Sequence, residues 1–345
     1  MTWLTWRQFR TQTLVTLAAL AAIAVTLGIT GAHLAHLFNT EIAGCLGQSG
    51  GSACSNQTLN AFTATYSFLQ HVFGFALIGI PGLIGAFWGA PLLTREVEAG
   101  THRLVWNQSV TRTRWLAVKV GLIGLTSAVA AGVFSLMLTW WASPLDRVNA
   151  NRITPPAFDQ RGIDPIGWAL FAFALGVTAG VLLRRTLPAM ATTLGIFTAA
   201  RILWPLYVRP YYLIPPVHKT ARIATVPFDW VGVNHGPNSP MLVHVSMPGA
   251  WILSDHTVNA AGHQVPGGTI FALCPVTTSG GVTKIPPDSC FIQHLTQLGY
   301  NRSVLTYQPA SRFWPLQWAE TGILTALAVL LAAFCYWWVR HGKVS

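Results

Sequence analysis

The chain has 345 residues, of which 52% are hydrophobic and 9% are charged, and its mean hydropathy is +0.46. Because a soluble domain carries about 25% charged residues, these values exclude an ordinary soluble enzyme. The 21 Lys and Arg against 10 Asp and Glu give a net charge of +11, which in so apolar a chain indicates charge asymmetry across a membrane, with no nucleic-acid partner.

Six apolar stretches predict the architecture of the chain. A helix needs about 20 predominantly apolar residues to cross a hydrocarbon core about 30 Å thick. The stretches that meet this requirement are residues 12–36, 67–93, 116–141, 166–183, 187–208 and 316–339. We therefore predict an all-α polytopic membrane protein with six transmembrane helices. Its predicted parts are an N-terminal segment 1–11, helices 1–5 within 12–208, a domain at 209–313, and helix 6 with a tail at 314–345.

The N-terminal segment 1–11 alternates aromatic and basic side chains at spacings of three to four residues. This pattern predicts an amphipathic helix that lies at the membrane interface. The segment also has the basic start of a signal peptide. However, the apolar run that follows is longer than 20 residues and no small-residue cleavage site stands out, so we expect a retained helix.

The distribution of basic residues predicts the orientation. If the N-terminus is cytoplasmic, 11 of the 21 Lys and Arg fall in four short cytoplasmic segments, 1–11, 94–119, 184–186 and 340–345. The much longer outward loops then hold nine, and the remaining one, Arg201, lies within helix 5. This contrast in density follows the positive-inside rule, so both termini are predicted to be cytoplasmic in a multi-pass plasma-membrane protein.

Four of the five cysteines form two close pairs in predicted outward loops. Cys45 and Cys54 share the first loop, and Cys274 and Cys290 share the last. On the oxidising side of a membrane such pairs predict two disulfides, although four free thiols would give the same spacing. A zinc site there has little support, and we expect no metal. The last loop, about 105 residues rich in Pro, Gly, Val, Thr and Ser, predicts a mixed, largely β extracytoplasmic domain.

The inward loop 94–119 is the most distinctive segment on the cytoplasmic side. Acidic Glu96 and Glu98 come first, Gly100 and Thr101 follow, and basic residues close the loop. One interpretation is a solvated linker with positive-inside anchors. The other is a short docking helix that presents charges and an apolar face to a cytosolic partner. The candidate docking residues are Arg95, Glu96, Glu98, Gly100, Thr101, Arg103, Trp106, Arg112 and Arg114.

Two ionisable residues are predicted to lie inside the bilayer, where a charge is costly and is a functional candidate by default. Arg201 lies midway along helix 5 and Glu320 near the start of helix 6. A pair that bridges these neighbouring helices is geometrically feasible. It would either orient the helices or contact a substrate or gate, and the orienting role is the simpler interpretation.

Sequence motifs for chemistry are sparse. The chain contains no G-x-x-x-x-G-K-[ST], so it cannot hydrolyse ATP through a P-loop, and it contains no H-E-x-x-H of a metalloprotease. No catalytic residues are assigned. The adjacent Asp255 and His256 are the best candidates for acid–base chemistry in the last loop. A competing hypothesis is therefore a membrane enzyme or sensor that acts on cell-envelope substrates through its extracytoplasmic domain, with Asp255, His256 or Glu320 involved.

Two runs resemble ABC-2 type ABC transporter permeases. The first is Arg95-Glu96-x-Glu98-x-Gly100-Thr101 with Thr111-Arg112 and Lys119, which resembles their first cytoplasmic loop. The second, from Tyr307 to Trp314 followed by Gln317-x-x-Glu320, is similar to the start of the final helix in actinobacterial members. The chain departs from many relatives at Gln108-Ser109-Val110, where they have a proline, and in its large last loop.

The resemblance implies a membrane subunit without an ATPase of its own. In that family the cytoplasmic loop supplies a coupling helix for a separate nucleotide-binding subunit, and two permeases combine with two ATPases. The implied partners are an ABC ATPase that binds ATP and Mg, a second permease copy in a homodimer, and membrane lipid. The implied function is export of a hydrophobic or amphipathic substrate, such as a drug, a lipid or a peptide.

Overall fold

A computed structural model describes residues 2–46, 54–98, 112–225, 228–233, 241–265, 274–275, 277–279, 282–284 and 287–341. The chain divides into two compact units. The first, called the membrane unit, comprises Met1–Arg209 and Phe313–Ser345. The second, called the inserted unit, comprises Pro210–Arg312.

The membrane unit is helical. In chain order its α-helices are α1 Thr2–Leu37, α2 Ala43–Leu46, α3 Asn56–Thr65, α4 Ser67–Ile84, α5 Pro91–Glu98, α6 Arg112–Trp141, α7 Ser143–Asn149, α8 Asp164–Leu183 and α9 Thr186–Leu203. After α10 Asp288–Gln297 of the inserted unit, α11 Phe313–His341 completes the helices of the described residues. Three π-helical turns, Phe38–Ile42, Gly85–Gly89 and Trp204–Leu213, and a 3-10 turn, Phe158–Gln160, extend or connect these helices.

Six helical stretches among the described residues are long and apolar enough to cross a membrane. They are Arg10–Leu46, Ser67–Arg95, Arg114–Trp141, Asp164–Leu183, Thr186–Leu213 and Ala310–His341. The six predicted spans therefore coincide with six helical stretches of sufficient length and apolar character, and their ends differ by up to ten residues because polar end turns remain helical.

The predicted boundary between the N-terminal segment 1–11 and helix 1 does not interrupt the backbone. α1 runs without interruption from Thr2 to Leu37, and the first candidate span already includes Arg10. The side chains of residues 1–9 lie outside the description, so an interfacial position for this segment stays a prediction.

α8 lies at the centre of the membrane unit, in contact with α4, α6, α9 and α11. In the most apolar stretch of α8, 67% of the residues are buried, whereas 11% are buried in the corresponding stretch of α1. Small residues allow neighbouring helical elements to pack closely against α8. A side-chain carbon at Gly176 would collide with the backbone carbonyl of Gly85, and one at Gly180 would lie 2.6 Å from Ala90 O. Backbones that approach through small residues are the usual close packing of membrane helices.

The inserted unit combines small antiparallel sheets with one helix. Its strands are β1 Val217–Arg222, β2 Phe228–Val233, β3 Met241–Val245, β4 Trp251–Val258, β5 Thr277–Ser279, β6 Val282–Lys284 and β7 Arg302–Gln308. β7 is the central strand of a sheet in the order β1-β7-β4, and β2–β3 and β5–β6 form two-stranded pairs. The mixed, largely β character predicted for this segment matches these described strands.

The core of the inserted unit lies between these strands and α10. Its main cluster is Ile223, Val243, Val265, Cys274, Phe291 and Leu295. The disulfide Cys274–Cys290 connects the segment before β5 to the first turn of α10. The helix is thereby attached to the strands both covalently and by apolar contact.

Candidate functional site

A buried ion pair joins α11 to the turn that follows α9. The Arg209 guanidinium donates from Nε to Glu320 Oε2 at 2.7 Å and from Nη2 to Oε1 at 2.8 Å. Trp168 of α8 donates its indole N–H to the same Oε1 at 3.1 Å. All three side chains are fully buried. A bidentate Arg–carboxylate contact fixes both distance and orientation, so this pair holds three helical elements in one arrangement.

Two aspartates and a second arginine extend this ion pair. Arg209 Nη2 also donates to Asp159 Oδ1 at 2.5 Å. Arg201 Nη1 lies 3.4 Å from Asp159 Oδ1 and 3.4 Å from Asp164 Oδ2. These five residues form the charge cluster: Asp159, Asp164, Arg201, Arg209 and Glu320. Since every member is at least nine-tenths buried, the contacts within it replace the water that these charges have lost.

Each of the two guanidinium groups lies over the face of an aromatic ring. Arg201 lies over the Trp168 ring at 4.5 Å and Arg209 over the Phe158 ring at 4.1 Å. Burial raises the pKa of the Asp159 carboxyl, but the positive charges of Arg209 and Arg201 outweigh this effect and lower the pKa below its ordinary value. Asp159 is therefore a carboxylate that balances the arginines.

Gln317 of α11 organises the chain that leads into α8. Its Oε1 accepts the backbone N–H groups of Ile163 and Asp164, at 2.9 and 2.8 Å. Its Nε2 donates to the carbonyl oxygens of Phe158 and Arg161, each at 3.1 Å. One buried amide thus satisfies four backbone groups at the start of α8. The run Gln317-x-x-Glu320 places both side chains on one face of α11, three residues apart.

The direct pair of Arg201 with Glu320, which the sequence made feasible, is not formed in the structure, although both residues belong to the charge cluster. Glu320 pairs with Arg209, and Arg201 pairs with Asp159 and Asp164. The hydropathy boundary at residue 208 had assigned Arg209 to the extracytoplasmic domain. In the structure a π-helical turn continues α9 beyond that boundary and brings Arg209 back to α11.

Sequence reasoning also missed the two aspartates of the charge cluster. Asp159 and Asp164 lie between the third and fourth apolar stretches, where a carboxylate looks like an ordinary loop residue. Asp164-Pro165 at the first turn of α8 is a helix-start signal, which marks the boundary but says nothing of burial. A search for acidic residues within two turns of a predicted span would have found both.

A second polar contact lies at the opposite end of α8. Glu98, the last residue of α5, accepts the backbone N–H of Thr186 through Oε1 and the Thr186 hydroxyl through Oε2, both at 2.8 Å. Thr94 is 2.8 Å from the same hydroxyl. We call Thr94, Glu98 and Thr186 the loop clamp. It attaches the start of the loop that follows α5 to the first residue of α9.

Glu98 also suits its position electrostatically. It caps the N-terminus of α9, where unpaired N–H groups and the helix dipole favour an anion. The backbone hydrogen bond from Thr186 is the main reason that the pKa of Glu98 is lowered, and the bond from the Thr186 hydroxyl adds to it. The carboxylate is exposed and ionised at neutral pH, so the clamp forms at the surface of the unit.

The other candidate docking residues are placed only in part. Arg95 and Glu96 lie in α5, Arg112 begins α6, and Arg114 is exposed in its first turn. The side chains of Glu96 and Arg112 are not described. Gly100, Thr101, Arg103 and Trp106 lie outside the described residues, so their assignment to a docking helix stays a prediction.

Both cysteine pairs are bonded. Cys45–Cys54 has a Cα separation of 5.1 Å and joins α2 to the residues before α3. Cys274–Cys290 has a Cα separation of 6.3 Å. The alternative of four free thiols is thereby excluded, and Cys335 of α11 is a buried free thiol.

The Asp255–His256 pair does not form a site. The two residues are neighbours on β4 and point to opposite faces, with Asp255 buried and His256 exposed. Asp255 accepts the Ser303 hydroxyl at 2.5 Å and the Val245 N–H at 3.2 Å. Burial raises the pKa of the Asp255 carboxyl, although the Ser303 hydrogen bond opposes this effect. Its contacts join β3 to β4 and β7, which is a structural role.

The part of the chain that matches a known family contains the loop clamp and all of the charge cluster except Glu320. Residues 17–209, more than half of the chain, match the family model described as ABC-2 membrane transporter related. The matched range includes Glu98, Asp159, Asp164, Arg201 and Arg209. Comparisons with curated proteins and with solved structures gave no match.

Proposed function

Because this multi-pass membrane protein belongs to the ABC-2 membrane transporter related family, we propose that it is the membrane subunit of an ATP-driven exporter. In this proposal a separate ABC ATPase binds ATP and Mg and performs the hydrolysis. The complete transporter contains two such ATPases and a second copy of this chain, with lipid around the helices.

The charge pattern and the disulfides support one orientation. The basic segments 1–11, 94–119, 184–186 and 340–345 belong on the cytoplasmic side, together with both termini. Pro210–Arg312 then faces the outside of the plasma membrane. Since disulfides persist in oxidising compartments, the bonds Cys45–Cys54 and Cys274–Cys290 agree with this assignment.

The loop clamp is the observation that carries the coupling step. Through Glu98 and Thr186, a force on the loop that follows α5 reaches the connection between α8 and α9 directly. α8 contacts α5 itself and four other helices of the membrane unit, so movement of its end changes the packing of the whole unit. A partner ATPase docked on loop 94–119 would use this contact to bias the balance between two arrangements of the helices.

An apolar cavity supports the proposed substrate class. It has a volume of about 180 Å³ and lies between α1, α4 and α6. Apolar side chains line it almost completely, among them Leu20, Ile23, Leu77, Trp88 and Phe134. Such a lining favours an apolar group, which is compatible with part of a hydrophobic or amphipathic substrate.

The test begins with the tagged chain purified from its native membranes. We expect a P-loop ATPase to copurify in a 1:1 ratio, with vanadate-sensitive ATP hydrolysis. In cells that express the pair, we expect Glu98→Gln to abolish ATP-dependent efflux of a hydrophobic dye such as ethidium while both subunits still copurify. Glu41→Gln, which changes an exposed glutamate of the first π-helical turn, is the matched control and should leave efflux unchanged.

One result would contradict the permease assignment, and another would contradict only the role of the loop clamp. A chain that purifies alone without associated hydrolysis would not be an ABC permease, and the enzyme or sensor hypothesis would then take precedence. Full efflux in Glu98→Gln would leave the permease assignment intact but would remove the clamp from the coupling step.

A further inference from the structure

The charge cluster contains more acids than bases. Three carboxylates, Asp159, Asp164 and Glu320, face the two guanidinium groups of Arg201 and Arg209. One oxygen from each carboxyl group lies within 4.8 Å of those from the other two. If all five groups were ionised, the cluster would carry one uncompensated negative charge away from water. A buried charge of this kind is normally neutralised, because a low-dielectric interior stabilises an unpaired charge far less than water does.

Hydrogen bonding singles out one carboxyl oxygen. Both oxygens of Glu320 accept N–H groups, from Arg209 and Trp168, and Asp159 Oδ1 is shared by both arginines. Asp164 Oδ2 receives only the longer 3.4 Å contact from Arg201. Asp164 Oδ1 is buried and has no hydrogen-bond partner in the described part of the chain. The weakest compensation in the cluster therefore falls on Asp164.

Other charges near Asp164 are already balanced or distant. Arg161, close to the same end of α8, forms its own bidentate pair with Asp146 of α7, at 3.0 and 3.2 Å. The described contacts of α4 and α6 at this end come from neutral groups, such as Ser135 bonded to Gly162 O. The groups that face Asp164 are thus Arg201 from α9, Arg209 from the following turn, Asp159 from the 3-10 turn and Glu320 from α11.

A proton fits this site better than a metal cation. A hard cation takes about six oxygen ligands, whereas Asp159 and Glu320 already accept short hydrogen bonds from Arg209, and Asp164 has a longer contact with Arg201. A cation would also lie beside two fixed positive charges. A proton needs only one carboxyl oxygen, and closely placed carboxyl groups characteristically share one.

We propose that Asp164 is a proton-binding site inside the membrane unit, and that one proton on its carboxyl group makes the charge cluster electrically neutral. Asp159 and Glu320 then balance Arg209 and Arg201 one to one. The packed arrangement of α8, α9 and α11 is the protonated form, and separation of these elements would expose Asp164 to water and release the proton. Proton binding is therefore linked to the arrangement of the helices. This inference stands independently of the proposed export function.

The test is infrared spectroscopy of the full chain in a detergent without carbonyl groups, such as dodecyl maltoside, at neutral pH. A protonated carboxyl group has a C=O stretching band that is separate from those of carboxylates and amides. We expect this band in the natural protein, a shift of the band when aspartate carboxyl groups carry carbon-13, and its loss in Asp164→Asn. Asp146→Asn removes an aspartate that is paired one to one, so the band should persist in that control.

A second measurement separates loss of the proton from loss of the fold. Since Asn resembles a protonated Asp in shape and charge, we expect Asp164→Asn to unfold at nearly the same temperature as the natural chain. A band that persists in Asp164→Asn, or that does not shift with labelled aspartate, would overturn the assignment. No such band, with an unfolding temperature that rises with added Na⁺ or K⁺, would instead assign the site to a cation and also overturn it.

Discussion

The two ends of α8 are held by carboxyl groups in opposite environments. At its first turn, Asp164 belongs to the charge cluster, in which Glu320 and Arg209 are fully buried. Beyond its last turn, the exposed Glu98 accepts two hydrogen bonds from Thr186 at the start of α9. Both are networks of short hydrogen bonds, yet only the first excludes water. The difference separates a contact that sets the architecture from one that can open and close.

Solvent explains this separation. In a dry interior, removing one member of an ion pair leaves the other without water or partner, so the arrangement is costly to break. At the surface, water replaces a lost partner at once, and an exposed pair contributes little to stability. If the loop clamp takes part in the proposed transport cycle, its exposed position allows it to break and re-form at little cost in stability.

The largest effect on stability is expected at the first turn of α8, where the charge cluster is buried. Arg209→Gln removes the guanidinium that binds both Glu320 and Asp159 and leaves these carboxylates without their main counter-charge. We expect a loss of about 3–5 kcal/mol in the free energy of unfolding. Reversible unfolding of the full chain in mixed micelles measures it.

Arg340→Gln is the control for this substitution. Arg340 is an exposed arginine near the end of α11, and its replacement should change the stability by no more than about 0.5 kcal/mol. Equal losses in the two variants would contradict the assignment of the charge cluster as the stabilising end.

A substitution in the closely packed middle of α8 is expected to have an intermediate effect on stability. A methyl group at Gly176 would collide with the backbone of Gly85, which has no flexible side chain that could move away. We expect Gly176→Ala to cost about 1–3 kcal/mol and to impair contacts at both ends, because α8 must shift as a unit.

The matched control is Gly195→Ala in α9, where an added carbon meets nothing within 4 Å. There the substitution should be neutral, or stabilising by up to about 1 kcal/mol, since alanine is the better helix former. Differential scanning fluorimetry of both variants in the same detergent distinguishes the outcomes. A stable Gly176→Ala would mean that α8 and the turn at Gly85 do not approach as closely as described.

The sequence predicted those parts of this comparison that depend on local pattern. Six apolar runs specified the spans, and paired cysteines specified the disulfides, because length, hydropathy and spacing can be read within a few dozen residues. The resemblance of Arg95-Glu96-x-Glu98 to a permease loop pointed to the family that residues 17–209 match. Glu98 and Glu320 were both selected before their contacts were known.

The partners of these residues could not be predicted in the same way. Glu320 and Arg209 are 111 residues apart, and Glu98 and Thr186 are 88 apart, so each contact depends on how the helices pack. Arg209 was also misassigned because a hydropathy boundary cannot register a π-helical turn that continues a helix. Asp164 shows the same limit, since burial is a property of the assembled unit.

The smallest effect on stability is expected at the exposed end, where the contact can be weakened without being abolished. Thr186→Val removes the hydroxyl that donates to Glu98 Oε2 and retains the backbone N–H that donates to Oε1. Because water can replace the lost bond at the exposed Glu98, and the buried Thr94 keeps its own bond to Ala90 O, we expect the unfolding temperature to stay unchanged. Thr192→Val, at an exposed position of the same helix, is the matched control.

The functional consequence of Thr186→Val should nevertheless be measurable. If the clamp transmits force from the loop, efflux per ATP hydrolysed should fall by about fivefold, the low end of typical coupling energies, and remain normal in Thr192→Val. The lowered pKa of Glu98 adds a pH dependence. The clamp's contribution is complete above about pH 4.5, the ordinary value, and is lost as the pH falls through the lowered value, because protonation removes the anion that caps α9. Coupling that is insensitive to Thr186→Val, with stability lost instead, would reverse the roles of the two ends of α8.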